Sequence, residues 1–238
     1  VVLLVAAALV ENLWIAAFGA LITAGSLYAW FRPREDDARA MREMAERPDG
    51  EGLPLALAGP ASNGWWGTLV FLLVLAVALF TLVGVHFYLG GGPGIGEPPP
   101  DAGPGLLAAV VTLAAGGAVY LAARGVRRGT RGLTRGGLVG ALVLFVVSLV
   151  VTFRAWSGMA IVPVESAYAS TFVGLLTFQW LVVALLIIIL GTGLVWALRS
   201  PADARGHAVA LNAELLGYFA VASWAVIVLT LYLAPRIW

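Results

Sequence analysis

The chain contains no cysteine and no lysine, only two histidines, and almost no ionisable side chain within its longest apolar runs. The lack of cysteine excludes disulfides, thiolate metal sites and cysteine nucleophiles. All 14 basic residues are arginine, which reads as genome base composition rather than chemistry. Charged residues make up 11% of the chain and the net charge is +1, so there is no electrostatic footprint for nucleic acid. Two histidines are too few for haem or copper ligation with the usual supporting partners. No nucleophile with an adjacent base, phosphate-binding loop or pair of metal-binding carboxylates is visible either.

What the sequence does have is six long apolar runs, at 13–31, 65–89, 105–123, 136–153, 171–198 and 215–233. The chain is 61% hydrophobic and its mean hydropathy is +0.95. A helix needs about 20 mainly apolar residues to cross the hydrocarbon core. The expectation is an all-α polytopic membrane protein, a transmembrane bundle of six spans. Apart from tyrosines, the only titratable side chain inside these runs is His86. Pumps, channels and proton-coupled carriers keep charged or histidine groups at membrane depth, and their scarcity here argues against that class.

Residues 1–10 form a further apolar run ending at Glu11-Asn12. It reads either as the tail of a truncated seventh helix turning tightly into 13–31 or as the first turns of one long span. The chain opens at Val1 without a methionine or a basic n-region, so a start inside a longer polypeptide is expected. Three segments follow from the pattern: 1–31 as an N-terminal helix or hairpin, 32–64 as a charged connector, and 65–238 as a five-helix bundle. The connector mixes five arginines with seven acids between Arg32 and Gly52. Arginine placement predicts orientation, because the positive-inside bias is carried by short loops. The segments after the first, third and fifth runs hold twelve arginines, and the opposite side only Arg154 and Arg236. The arginine-rich side is expected in the cytoplasm and the C-terminus outside. Residues 90–104, GGGPGIGEPPPDAGP, read as an extended outer loop.

Individual residues give few chemical leads. His86 reads as an interfacial packing or headgroup residue, His207 as a loop residue on the opposite side. Glu214 is the best candidate for an acid in a special environment. Its position also suits an interface near a helix N-terminus, where negative charge is favoured. Trp65-Trp66 opens the second run and Phe87-Tyr88 closes it, as at membrane interfaces. Trp180 falls well inside the fifth run, so its indole N–H requires a partner. Small-residue clusters such as Gly136-Gly137-Leu138-Val139-Gly140 are helix-packing signals.

Several segments resemble subunit III of the haem-copper cytochrome c oxidases. Tyr168-Ala169-Ser170-Thr171-Phe172, followed by Phe178, Leu181 and Val183, is similar to that family's Tyr-Gly-Ser-Thr-Phe run and later Phe-His-Gly-Leu-His-Val. The two family histidines fall on Gln179 and Val182. Trp65-Trp66-Gly67, Phe71, Phe80 and Phe87-Tyr88 resemble the family's third helix, whose buried glutamate maps to Leu75. The Pro98-Pro99-Pro100 segment stands where the family has a proline-rich outer loop. Phe219, Trp224 and Tyr232 keep the spacing of its last-helix signature, with the His and Asp positions at Tyr218 and Val221. His207 stands where a loop histidine is common, and Tyr28-Ala29-Trp30-Phe31-Arg32 resembles the end of the second helix. The departures are systematic, with polar intramembrane residues replaced by apolar or neutral ones.

The resemblance implies a V-shaped arrangement of two helix bundles. It also implies a non-catalytic accessory subunit of a respiratory terminal oxidase in the bacterial plasma membrane. Such a chain carries no cofactor of its own. Haem and copper belong to its partners, subunits I and II, and phospholipid is bound between the bundles. A respiratory supercomplex and fusion to subunit I are compatible with it. Candidate lipid or subunit-packing residues are Trp65, Trp66, Phe71, Phe80, His86, Tyr168, Phe172, Trp180, His207, Phe219, Trp224 and Tyr232. Two alternatives are a similar subunit of a quinol oxidase or nitric oxide reductase, and a stand-alone membrane transporter or scaffold.

Overall fold

In lipid every backbone N–H and C=O must be satisfied within the protein, so apolar runs of this length become helices even where β-branched residues dominate, as in Ile187-Ile188-Ile189. A computed structural model describes residues 25, 63–89, 101–159, 166–199 and 204–236. The chain divides into two units, Val1–Leu55 and Ala56–Trp238, and the helices below belong to the second. They are α1 (Asn63–Tyr88), α2 (Ala102–Arg127), α3 (Arg131–Ser157), α4 (Ala167–Arg199) and α5 (Ala204–Val228). A π-helical turn at Leu229–Leu233 and a 3₁₀ turn at Ala234–Arg236 continue α5. Among the described residues, five helices are long and apolar enough to cross a membrane. They carry the last five apolar runs. The run at 13–31 apart from Gly25, the segment 1–10, the connector from 32 to 62, the Tyr28–Arg32 motif and the triple proline lie outside the described residues.

Local chemistry sets the helix ends. The Asp101 carboxylate accepts from the Gly103 amide at 3.0 Å and caps α2, a contribution of about 1 kcal/mol. The expected extended loop therefore ends at Asp101, and Pro104 sits in the first turn of α2, where its missing N–H costs no hydrogen bond. Ser166 caps α4 by accepting from the Ala169 amide at 3.0 Å. Between α2 and α3 the chain reverses in three residues. Gly129 adopts φ +67°, and the Gly129 and Thr130 amides donate to the Val126 and Gly125 carbonyls. This is a Schellman arrangement, and its left-handed position favours glycine.

Helices α2, α3, α4 and α5 pack in a ring, each against the next and α5 back against α2, while α1 lies against α4 and α5. Sequential helices run antiparallel. One end of the bundle gathers the start of α3 and the ends of α2 and α4, with Arg124, Arg127, Arg128, Arg131 and Arg135. The other end has Arg154 and Arg236. For the described arginines, the segregation seen in the sequence is thus a segregation between the two ends of this bundle. Helix α5 is central and α1 peripheral: 56% of the apolar window of the former is buried and 6% of the latter.

Apolar association gains little in lipid, so close packing must hold such helices together. The buried face of α2 is built almost entirely from Gly, Ala, Thr and Val. A Cβ added at Gly125 would lie 2.5 Å from the Thr134 nitrogen, and one at Gly137 2.5 Å from the Ala122 nitrogen. There α2 and α3 touch backbone to backbone. Gly116 receives Val221, and Gly105 receives the Tyr232 ring, which seats α5 on α2.

Candidate functional site

Three layers of polar and aromatic groups tie the helices together. At the arginine-poor end, His86 near the end of α1 is fully buried, with Nδ1 2.8 Å from the Thr171 hydroxyl of α4. That hydroxyl donates to the Ala167 and Tyr168 carbonyls, both at 3.0 Å. With its single proton directed at those carbonyls, the hydroxyl is placed to accept from His86 in the tautomer that carries the proton on Nδ1. His86 is therefore an interhelical clasp, which fits the packing alternative and not the headgroup alternative of the two that its place near a span end left open. Its ring lies 5.5 Å from that of Tyr168, Tyr168 lies 5.8 Å from Phe172, and Phe172 lies 5.9 Å from Tyr232. Tyr232 sits in the π turn of α5 and fills the space left by Gly105. Four helices meet in this cluster.

A second layer crosses the bundle deeper in. The indole N–H of Trp180 donates to the Thr152 hydroxyl at 3.0 Å, the partner its intramembrane position required. Thr152 itself donates to the Ser148 and Leu149 carbonyls, and the Ser148 hydroxyl meets that of Thr112 on α2 at 2.7 Å. Trp180 also stacks with Phe153 and Trp156 at centroid distances of 5.7 and 5.6 Å. On the other side of α4, the Gln179 amide donates to the Ala220 carbonyl at 3.0 Å and its oxygen accepts from Ser223 at 2.7 Å. Trp224, beside Ser223 in sequence, is fully buried, and its indole N–H makes no hydrogen bond among the described residues.

The third layer lies at the arginine-rich end. Glu214 is buried and receives Arg127 of α2 on one carboxylate oxygen and the Tyr218 hydroxyl, at 2.8 Å, on the other. It stands ten residues into α5, so it does not serve the helix N-terminus. The candidate span Val209–Arg236 encloses it, although it stands one residue before the apolar run at 215–233. The Arg127 side chain stays about half exposed and carries this pair to the surface. His207 belongs to the first turn of α5 and not to a loop. It and His86 stand near opposite ends of α4, about 40 Å apart at 1.5 Å per residue.

The remaining candidates divide by exposure. Trp66, Phe71 and Phe80 point out of α1, suited to lipid or a neighbouring chain. Trp65 packs edge-on to Trp66 at 5.2 Å. Phe219 is partly buried against the core, and Phe172, Trp224 and Tyr232 are inside it. Among the described residues no three His, Cys, Asp or Glu side chains come together, and the hydroxyls of Ser148 and Ser223 are bonded to an alcohol and an amide rather than to a base. The arrangement as a whole joins helix to helix.

No protein-family model and no curated protein matches this chain. The positions at which the sequence departs from the pattern it resembles can still be read physically. Gln179 and Tyr218 turn their neutral polar groups to interhelical and intrahelical hydrogen bonds. Val182 is buried in the core, Leu75 packs partly buried against it, and Val221 fills the notch of Gly116. Sequence reasoning missed the Glu214 trio, the Gln179–Ser223 pair and the Thr112–Ser148 pair. A signal was available for the last two. Each is a lone polar residue in an apolar run, and such residues face a partner helix.

Proposed function

We propose that this chain is an accessory, non-catalytic subunit of a respiratory terminal oxidase, of the subunit III type, which braces the catalytic subunit and holds phospholipid. One observation carries this reading. The two runs that resemble the family's most specific motifs, around Tyr168–Phe172 on α4 and Trp224–Tyr232 on α5, pack on each other through Phe172–Tyr232 and through Gln179 with Ser223. Most of the buried polar side chains among the described residues are engaged in clasps between helices, as suits a scaffold. The positions that departed from the family pattern carry packing or hydrogen bonds from neutral side chains in place of charge.

On this proposal the run at 13–31 supplies a sixth span, the spans form two bundles in a V, and the arginine-rich end faces the cytoplasm of a bacterial plasma membrane. Haem and copper reside in subunits I and II, which are the direct partners. The test is purification from the native membrane in mild detergent with mass spectrometry of the co-purifying proteins. Recovery with a histidine-rich haem subunit and a copper-bearing subunit supports the proposal. A haem complex lacking the copper subunit moves the assignment to a quinol oxidase or nitric oxide reductase. Recovery of the chain alone, with substrate binding or transport in liposomes, overturns it.

A further inference from the structure

We infer that the α2–α3 hairpin is a binding site for the phosphate headgroup of an anionic phospholipid, whose acyl chain lies along the outer face of α2. Five arginines fall within residues 124–135, with no acid among them. Only two are engaged among the described residues: Arg127 with Glu214, and Arg135, whose Nε donates to the Ala197 carbonyl at 3.0 Å. The guanidinium groups of Arg124, Arg128 and Arg131 have no partner among the described residues, and Arg128 and Arg131 are exposed. The backbone contact of Gly125 with Thr134 brings Arg124 and Arg135 to one level. The Schellman turn holds Arg128 and Arg131 at the tip. The hairpin is thus a fixed frame that offers guanidinium groups, which match a phosphate in two-pronged fashion.

The surface below the arginines supplies the second half of the site. On α2, Leu113, Tyr120 and Leu121 are exposed and lie at helical spacing on the side that leads up to Arg124 and Arg128. Gly117 falls among them, and a Cβ there would meet nothing within 4 Å, leaving a shallow step in the stripe. From Leu113 to Arg128 the helix rises about 22 Å, close to the depth of one leaflet with its headgroups. Fixed cations above an apolar stripe of that length fit a single lipid molecule. Arginines that serve only to orient the chain during insertion need no such stripe. The inference does not depend on the oxidase reading, since it uses only this hairpin.

The experiment is binding of phosphatidylglycerol and phosphatidylcholine to the delipidated chain, in the complex in which it purifies, by native mass spectrometry and by fluorescence titration in mixed micelles. The variants are Arg124→Gln/Arg128→Gln/Arg131→Gln, the same triple with lysine, and Arg154→Gln at the other end. The expected result is preferential retention of phosphatidylglycerol, weakened by salt. The glutamine triple should lose about a hundredfold in affinity, roughly fivefold per arginine, and the lysine triple less, while Arg154→Gln binds as the parent does. Equal retention of both lipids, or a glutamine triple that binds as the parent does, overturns the inference. Inorganic phosphate that displaces the lipid at millimolar concentration would reassign the site to a free anion and overturn it as well. Folding of each variant is checked by its elution as a monodisperse species.

Discussion

Gly136 and Gly137 are neighbours in α3, yet substitution by alanine should act on them in opposite directions. A Cβ at Gly137 would stand 2.5 Å from the Ala122 nitrogen, 2.7 Å from its Cα and 2.9 Å from the Ala118 carbonyl oxygen. Ordinary contact begins near 3.4 Å, and all three obstacles are backbone, which cannot rotate away. Helices α2 and α3 must part by about 1 Å, and a gap of that size forfeits a quarter to a half of the dispersion well at each contact it opens. Overpacking of this kind costs about 1–3 kcal/mol, against a gain of up to about 1 kcal/mol in helix propensity. The net expectation is about 2 kcal/mol of destabilisation, a fall in Tm of roughly 4–8 °C at this chain length. At Gly136 nothing lies within 4 Å of the added Cβ, so only the propensity gain remains and Tm should hold or rise. The assay is the monodisperse fraction after heating in mild detergent, read by size-exclusion chromatography. Equal midpoints for Gly137→Ala and Gly136→Ala, within about 2 °C, a shift below 1 kcal/mol, would refute the close approach of α2 and α3.

Other outcomes follow from the clasps. Arg127→Gln should destabilise more than Glu214→Gln, by about 3 kcal/mol against about 1 kcal/mol, because it strands a buried carboxylate, whereas Arg127 reaches water without its partner; comparable losses in denaturant titration would count against this account. A double-mutant cycle of Gln179→Ala with Ser223→Ala should return a coupling of about 0.6–1.7 kcal/mol, and additive effects would place the two side chains apart. Thr152→Val keeps the shape but removes the acceptor of Trp180, so it should cost about 1–2 kcal/mol, while Trp180→Phe/Thr152→Val should lose less than the sum of the single changes. In the purified oxidase expected under the proposed function, Trp180→Ala or Trp224→Ala should loosen lipid retention or subunit association and leave the haem spectrum unchanged. A shifted spectrum in an intact complex would oppose a purely scaffolding role.

Much of this architecture can be read without a structure, because lipid imposes a simple rule. A run of about 20 apolar residues has no option other than a helix, so the last five runs correspond to α1–α5, and arginine placement separates the two ends of the bundle. The need of Trp180 for a partner was legible for the same reason. The roles of His86 and Glu214 were not. Nearness to a span end left packing or headgroup contact open for His86, and a special environment or a place at a helix N-terminus open for Glu214, whereas in the fold His86 is covered by α4 and Glu214 by α2 and its own helix. Burial depends on which helices are adjacent, and adjacency leaves almost no trace in sequences this uniformly apolar.

The sequence by itself therefore determined the helices, their number from residue 63 onward, their alternating direction and the segregation of charge, since each follows from local composition and chain connectivity. Only the tertiary structure decided that Gly137 and not Gly136 admits α2, that Thr112 answers Ser148 and Gln179 answers Ser223, and that Arg127 reaches Glu214. These depend on the rotation of each helix about its axis. Among apolar side chains surrounded by lipid that rotation is set by close packing between particular faces, which no single helix encodes.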